Sequence, residues 1–324
     1  MTISSPFNAQ STALEVIASH DLRGRTALMT GASSGLGIET ARALLSAQAE
    51  VILAVRDTAK RERVAQDLRA ATKNERAHVL ALDLGSRASV RQAAEQFHAR
   101  WSQLHVLINN AGIMATPLRY TPEGFELQLG TNHLGHYLLT RLLLPALLAA
   151  APVRVVVLSS SAHRRSDLHF DDLNYEQRPY DKWEAYGQSK SANALFAVGL
   201  TRHFGSRGIT ANAVNPGGTH SGLQEQLSRE DLLALGWIDL QGHDTSHFKT
   251  PAQGAATSIW AAVGHELEGI GSRYLEDCQE AAPYDPHGEN VGMPFHGYMP
   301  YALDPDRADR LWTVSQDLVG LSSQ

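Results

Sequence analysis

The 324-residue chain is almost without cysteine, Cys278 being the only one. A single thiol excludes a disulfide within the chain and a thiolate-rich zinc site, and it makes a reducing cytoplasm the expected setting. No basic excess is present either. Against 28 Lys and Arg stand 34 Asp and Glu, a formal net charge of −6, so the electrostatic footprint demanded by nucleic acid or an anionic membrane surface is missing. Long apolar runs are lacking too. The most hydrophobic stretch, YLLTRLLLPALLAAAP from 137, is broken by Arg141 and Pro145 and is too short to span a bilayer, which predicts a core helix and no membrane span. The opening MTISSPFNAQST has neither the positive nor the apolar segment of a secretory signal, so export is not expected. No solenoid-type repeat, low-complexity tract or interdomain linker interrupts the chain. With 43% hydrophobic residues, one domain with a substantial core and a small-molecule partner is the expectation.

What is present is an alternation. Short, nearly unbroken apolar runs at 25–30 (RTALMT), 50–55 (EVILAV), 77–82 (AHVLAL), 104–109 (LHVLIN), 153–160 (VRVVVLSS) and 209–215 (ITANAVN) predict strands covered on both faces. A last strand is expected within SRYLEDC (272–278). Helical segments separate the runs, and repeated βα units predict an α/β fold: a single doubly wound domain, its parallel sheet flanked by helices on both faces. This domain is placed at 22–278, with an N-terminal extension at 1–21 and a C-terminal extension at 279–324 packed on the domain. Two segments leave the rhythm. An insertion at 217–250 carries Leu223, Leu227, Leu232, Leu233, Trp237, Ile238 and Phe248, suiting an apolar substrate lid or helices that merely pack on the body. The segment 279–303, rich in Pro, Gly, His and Tyr, reads equally as a lid or as a surface extension.

TGASSGLG at 30–37 closes the first strand and opens the first helix. Glycine lets backbone turn tightly and approach a ligand, and a helix N-terminus attracts phosphate through free N–H groups and its dipole. The segment is a candidate pyrophosphate cradle, formed by Gly31, Ser33, Ser34, Gly35, Leu36 and Gly37. After strand two, VILAVRD places Arg56 just past the strand end, where a guanidinium suits the 2′-phosphate of NADP(H) and an acid would suit NAD(H). NADP(H) is therefore preferred and NAD(H) kept open, since Asp57 competes for the ribose, although capping the next helix is its more ordinary role. At the end of strand three, Asp83 and Leu84 (LDLGS) offer a contact to adenine, or a helix cap. At strand four, Asn110, Ala111 and Gly112 (NNAG) permit close backbone approach to a nucleotide, or simply build a turn.

One helical turn separates Tyr186 from Lys190 in AYGQSK (185–190), so the two project side by side from an Ala-rich helix. On a solvated face such a pair is ordinary; in apolar surroundings it is candidate chemistry. TGASSGLG, NNAG, this pair as YxxxK, and NPGG (215–218), in this order, resemble the short-chain dehydrogenase/reductase family over roughly 22–278. INNAGIM, TNHLGHYLLT, LSSSAHR and RYLEDC are similar to its retinol dehydrogenases and its WW-domain oxidoreductase branch.

The resemblance implies a Rossmann-type domain and a catalytic set. Tyr186 would be the acid/base, its phenolate favoured by the Lys190 ammonium and by the positive ring of oxidised cofactor. Lys190 would also hold the nicotinamide ribose. Ser160 would hold the substrate oxygen, with Ser161 as fallback and Ser159 adjacent. Asn132 matches the asparagine that anchors a water and proton path to the lysine. Pro216 and Gly217 begin the loop over the nicotinamide, with Ser221 at its hydroxyl position. The family often pairs subunits through the helices containing 121–150 and 183–204, implying a homodimer or homotetramer.

Fifteen histidines raise the question of a metal. His133 with His136, and His243 with His247, have suggestive spacings, but the resemblance explains the first pair and the second lacks a carboxylate or thiolate constellation. GHELEG (264–269) has no second histidine in the zinc-protease position, so no metal is expected. The leading expectation is an NADP(H)-dependent oxidoreductase interconverting a carbonyl and an alcohol on a lipophilic small molecule. The alternative is a non-catalytic NADP(H)-binding redox sensor or interaction module; ring or double-bond reduction is a third class these motifs leave open.

Overall fold

Each apolar run becomes a strand of one sheet. The computed structural model describes residues 2–32, 35–56, 58–285 and 295–321. Among these the strands are β1 (Thr26–Thr30), β2 (Glu50–Val55), β3 (Ala77–Ala81), β4 (Val106–Asn109), β5 (Val153–Leu158), β6 (Ile209–Asn215), β7 (Tyr274–Glu276) and β8 (Gln279–Glu280). They lie in the order β3-β2-β1-β4-β5-β6-β7-β8. Every pairing from β3 to β7 is parallel; β7 and β8 run antiparallel. β8 is the strand the sequence did not announce. Two residues cannot display a hydrophobic period, and the reversal before it depends on Asp277 and Cys278, both at positive φ.

The helices are α1 (Ala13–Ile17), α2 (Gly35–Ser46), α3 (Thr58–Thr72), α4 (Arg87–His98), α5 (Leu127–Leu129), α6 (Gly135–Ala149), α7 (Lys182–Phe204), α8 (Arg229–Ala234), α9 (Pro251–Gly254), α10 (Ala256–Val263) and α11 (Pro305–Leu318). Successive strand residues point to opposite faces, and both faces are buried. Leu28, Ile52, Leu107 and Val155 face one core with Phe97, Leu138, Leu143 and Phe196. Their neighbours Met29, Leu53, Ile108 and Val156 face the other, with Leu44, Leu45, Ile259 and Trp260. This is why the strands read as continuous apolar runs.

Helix α7 is enclosed on all sides: every residue from Ala185 to Leu200 is buried, the polar Gln188, Ser189, Lys190, Ser191 and Asn193 included. Part of the cover is α11, whose Trp312 lies 4.4 Å from the His203 ring, 5.1 Å from Tyr137 and 6.2 Å from Phe196. The stretch 183–204, which the sequence offered as a subunit contact, thus has its central part buried within one chain. At the other end of the chain, Ser4 pairs with Gln279, and Ala13, Val16 and Ile17 of α1 join the second core.

Candidate active site

A cavity of about 990 Å3 runs along the carboxyl ends of the strands. It crosses the point between β1 and β4 where the strand order reverses, the place where open parallel sheets bind ligands. Gly31, Leu36 and Gly37 line its middle, Arg56, Asp83 and Leu84 one end, and Asn110, Ala111 and Gly112 the neighbouring wall. Ser160, Tyr186, Lys190, Pro216, Gly217 and Ser221 line the other end. Ser33, Ser34 and Asp57 lie outside the described residues. Gly35 and Asn132 are not on the wall.

The first βα turn is built for close approach. Gly31 has φ +73° and Gly35 φ +50°, a region that side chains disfavour. A Cβ at Gly37 would meet the Gly31 carbonyl oxygen at 2.3 Å, so α2 starts directly against the strand end. Its first amides have no intrahelical acceptors, and Leu36 and Gly37 border the cavity. The exposed Arg56 has no ion-pair partner among the described residues. Asp83 does not cap α4, because Ser86 does; its Oδ1 accepts from the Gly85 N–H at 2.9 Å. A glycine cradle at a helix start, a guanidinium at one end and hydroxyls at the other form a donor set that fits a dinucleotide.

Two residues that the sequence left unassigned hold this wall. The Thr30 Oγ1 accepts from the Asn110 and Ala111 N–H groups at 3.0 and 2.9 Å. Its own proton therefore goes to His136 Nε2 at 2.8 Å, and His136 Nδ1–H donates to the Asn132 carbonyl at 2.8 Å. Burial pushes His136 down to about 4, so it stays neutral. The helix TNHLGH therefore anchors β4 to β1. No local signal revealed this, since Thr30 and His136 are 106 positions apart. His133 points elsewhere, its Nε2 lying 2.7 Å from Ser315 Oγ on α11.

Asn132 occupies a π-helical turn, Gly130–Leu134, between α5 and α6. The wider turn aims its amide at backbone: Oδ1 accepts from Ile113 N–H, and Nδ2 donates to Ile113 O and to Ser189 Oγ, all at 2.9 Å. It grips the loop after β4. A Cβ at Gly112 would lie 3.3 Å from Asn132 Oδ1 and 3.5 Å from Lys190 Nζ, so this loop passes close to both side chains.

Tyr186 and Lys190 do share a face, the ammonium lying 5.7 Å from the phenol ring centre. Their ionisation differs from the sequence expectation. Burial pushes the Tyr186 phenol up to about 12, opposed by a hydrogen bond with the Ser160 hydroxyl. Burial pushes Lys190 down to about 8, and its Nζ donates to Leu158 O at 3.1 Å. Desolvation is the dominant influence, so the phenol is protonated at neutral pH. Of the three serines, Ser160 is the one hydrogen-bonded to Tyr186, while Ser159 donates to the Lys190 carbonyl at 2.9 Å and Ser161 begins a 3-10 turn.

Lysine in an unfolded chain titrates well above 8, so between about pH 8 and that value the unfolded chain keeps a proton the folded chain has released. Stability contributed at this position therefore increases with pH across that interval, by an amount on the order of 3 kcal/mol at most. Urea unfolding from pH 7.5 to 10 is expected to show the rise in the wild type and a smaller one in Lys190→Met. Identical slopes would contradict a buried, titrating ammonium.

Beyond Tyr186 the cavity turns apolar. Met114, Ala115 and Tyr186 pack with Ala162, Trp183, Leu223, Leu227 and Trp237, and Trp237 meets Phe248 at 4.8 Å. The insertion 217–250 thus supplies part of the chamber wall, and Lys182 ties it to the start of α7 through Asp231 at 2.5 Å. Leu232, Leu233 and Ile238 are half-buried and off the wall. From 279–303, Tyr284 and Phe295 also line the cavity, and Asn215 Nδ2 donates to Phe295 O at 2.6 Å. Among the described residues no three His, Cys, Asp or Glu side chains converge as a metal site requires, and no helix is long and apolar enough to cross a membrane.

Comparison with known proteins agrees with this layout. The family described as "short chain dehydrogenase" matches residues 25–232. A "Probable oxidoreductase" of Streptomyces antibioticus is 45% identical over 92% of this chain and 98% of its own length. Retinol dehydrogenase 12 of Homo sapiens is 41% identical over 93% of this chain and 88% of its own. The Pseudomonas aeruginosa RhlG/NADP active-site complex superposes with a TM-score of 0.60 at 26% identity, covering 79% of this chain and 95% of that one. A glycine cradle at the sheet's reversal point, a Ser–Tyr–Lys end and these relatives meet in one conclusion: the chain belongs to the short-chain dehydrogenase/reductase family and is an NAD(P)-dependent oxidoreductase with retinol dehydrogenase similarity.

Proposed function

We propose that the enzyme interconverts a carbonyl and an alcohol on a lipophilic small molecule with NADP(H), in the direction of reduction. The observation that carries this reading is the placing of the Ser160, Tyr186 and Lys190 side chains together on the cavity wall, between the apolar chamber and the glycine cradle. NADP(H), held by the glycine turn and Arg56, would when bound supply the hydride for the carbonyl carbon. Ser160 and Tyr186 donate to the substrate oxygen, and Tyr186, protonated at neutral pH, delivers the proton as negative charge develops there. Lys190 places a cation beside the phenolate that results and restores its proton. Asn132 acts one step removed, holding the Ile113 backbone that floors the site.

Leu36 and Gly37 carry the pyrophosphate amides, with Asp83 and Leu84 beside the adenine; Pro216, Gly217 and Ser221 cover the nicotinamide end. A cytoplasm with reduced NADP would drive the reduction, and the burial of α7 within one chain argues against assembly through it.

Arg56 at the cavity's far end supports NADP(H), because a charge-assisted contact to a 2′-phosphate has no counterpart in NAD(H). Loss of such a contact costs about 1.5–3 kcal/mol, so Arg56→Ala is expected to lower kcat/KM for NADPH by roughly 10- to 100-fold and leave NADH nearly unchanged. Following coenzyme absorbance with retinaldehyde and a panel of aryl aldehydes tests both parts. Equal losses for the two coenzymes would refute the NADP preference. Tight NADPH binding without turnover across the panel would favour a redox sensor.

A further inference from the structure

His163 is fully buried one turn beyond Ser160, in the 3-10 segment Ser161–Arg165, away from the cavity wall. Both its ring nitrogens are committed. The Met299 N–H lies 3.0 Å from Nε2, and a backbone amide can only donate, so Nε2 carries no proton. The Ser160 carbonyl lies 2.7 Å from Nδ1, and a carbonyl can only accept, so Nδ1 carries it. The two contacts demand the same neutral tautomer. The ring is further fixed by Tyr274, whose hydroxyl is 3.1 Å from Nδ1 and whose ring is 4.9 Å away. The His163 carbonyl accepts from Tyr301 and Ser191 hydroxyls at 2.7 and 3.2 Å.

We propose that His163 is a positioning residue for the reaction: with its tautomer set by the Met299 amide, it pins the Ser160 peptide and so aims the Ser160 hydroxyl at the substrate oxygen and Tyr186. The C-terminal segment around 299–301 thereby becomes part of the catalytic apparatus. The argument rests on the proposed role of Ser160. It follows from the geometry that the carbonyl of Ser160 is held from one side while its hydroxyl works on the other. Losing the ring contact leaves Tyr186 and the glycine cradle in place, and leaves Ser160 held only by the local turn, in which its carbonyl accepts from the His163 N–H at 3.0 Å and its hydroxyl from the Ala162 N–H at 3.2 Å.

Asparagine and glutamine separate the two ring nitrogens. Asparagine places its amide N–H2 near the position of Nδ1 and can still donate to Ser160 O; glutamine reaches toward Met299 and has no donor at the Nδ1 position. A misplacement of about 1 Å can cost about 100-fold in rate, so His163→Gln is expected to lose roughly 30- to 100-fold in kcat, and His163→Asn no more than about fivefold. KM for NADPH and for a turned-over aldehyde should stay within about twofold in both variants, since the contacts that bind them uniformly are untouched. Equal kcat losses in the two variants, or losses that track the folded fraction measured by circular dichroism, would overturn the proposal.

Nitrogen-15 NMR of the wild-type histidines with NADPH bound reads the tautomer independently of substrate. Two buried rings, His136 and His163, should be in the Nδ1–H form, and the one that disappears in His163→Asn should keep this form in Met299→Pro but shift at Nε2, because the variant lacks the amide proton there at a backbone φ of −78° that proline accepts. An Nε2–H form for the ring lost in His163→Asn, or an Nε2 indifferent to Met299→Pro, would refute the assignment even if no aldehyde is reduced. A correct tautomer with no turnover in the wild type would instead count against the proposed reaction.

Discussion

Tyr186→Phe is expected to lower kcat by roughly 1,000-fold, the scale of a positioned general acid, while leaving the Kd of NADPH within about twofold. The side chain is buried, and phenylalanine keeps its ring packing against Met114 and Ala115. Only the hydroxyl is lost, together with the hydrogen bond to Ser160. Because burial holds the phenol near 12, reduction by the wild type should lack a falling limb from Tyr186 itself between pH 6 and 9. Any loss of rate above about pH 8 belongs to Lys190, which releases its proton there. Stopped-flow reduction across this range, on the wild type and Tyr186→Phe, checks both statements. Near-normal turnover by the phenylalanine variant would remove the proton donor from the scheme.

Gly37→Ala should be the most damaging single-atom change in the cradle. The added methyl would meet Gly31 O at 2.3 Å and Ala32 Cα at 2.9 Å, and neither atom belongs to a side chain that can swing aside. Helix α2 must retreat from the end of β1. Overpacking of this kind costs about 1–3 kcal/mol, and the same retreat withdraws the helix amides from the pyrophosphate, so NADPH affinity should fall by roughly 30-fold or more. Gly124→Ala is the matched control. It has φ +85° and nothing within 4 Å of its added Cβ, so it costs backbone strain of about 1 kcal/mol without touching the cofactor site. Fluorescence titration with NADPH and urea unfolding of both variants make the comparison. Unchanged affinity in Gly37→Ala would show that the turn does not bear on the phosphate.

The strands were legible because burial on both faces leaves a continuous apolar run, and the glycine cradle because positive φ leaves few alternatives to glycine. The Tyr186–Lys190 pair could be read because i and i+4 share a helix face whatever surrounds them. Ionisation was not legible. The effect of a neighbouring ammonium on a phenol can be guessed from spacing, but the effect that dominates is burial, which depends on Ala162, Leu223 and Trp237 arriving from distant segments. Asp83 shows the same limit in small: its position suggested a helix cap, yet Ser86 takes that place, since capping is decided by where the helix starts, within one or two residues.

By itself the sequence determined the order of the βα units, the position of the glycine turn after β1 and the sharing of one helix face by Tyr186 and Lys190, since these follow from periodicities and conformational preferences acting over a few residues. Only the tertiary structure decided which serine meets Tyr186, that Asn132 and His136 clamp loops to the sheet, and that α11 encloses α7. It also decided that His163, which holds Ser160, meets Met299 across 136 positions. Such contacts depend on distance and desolvation between segments far apart in the chain, and no local pattern encodes either quantity.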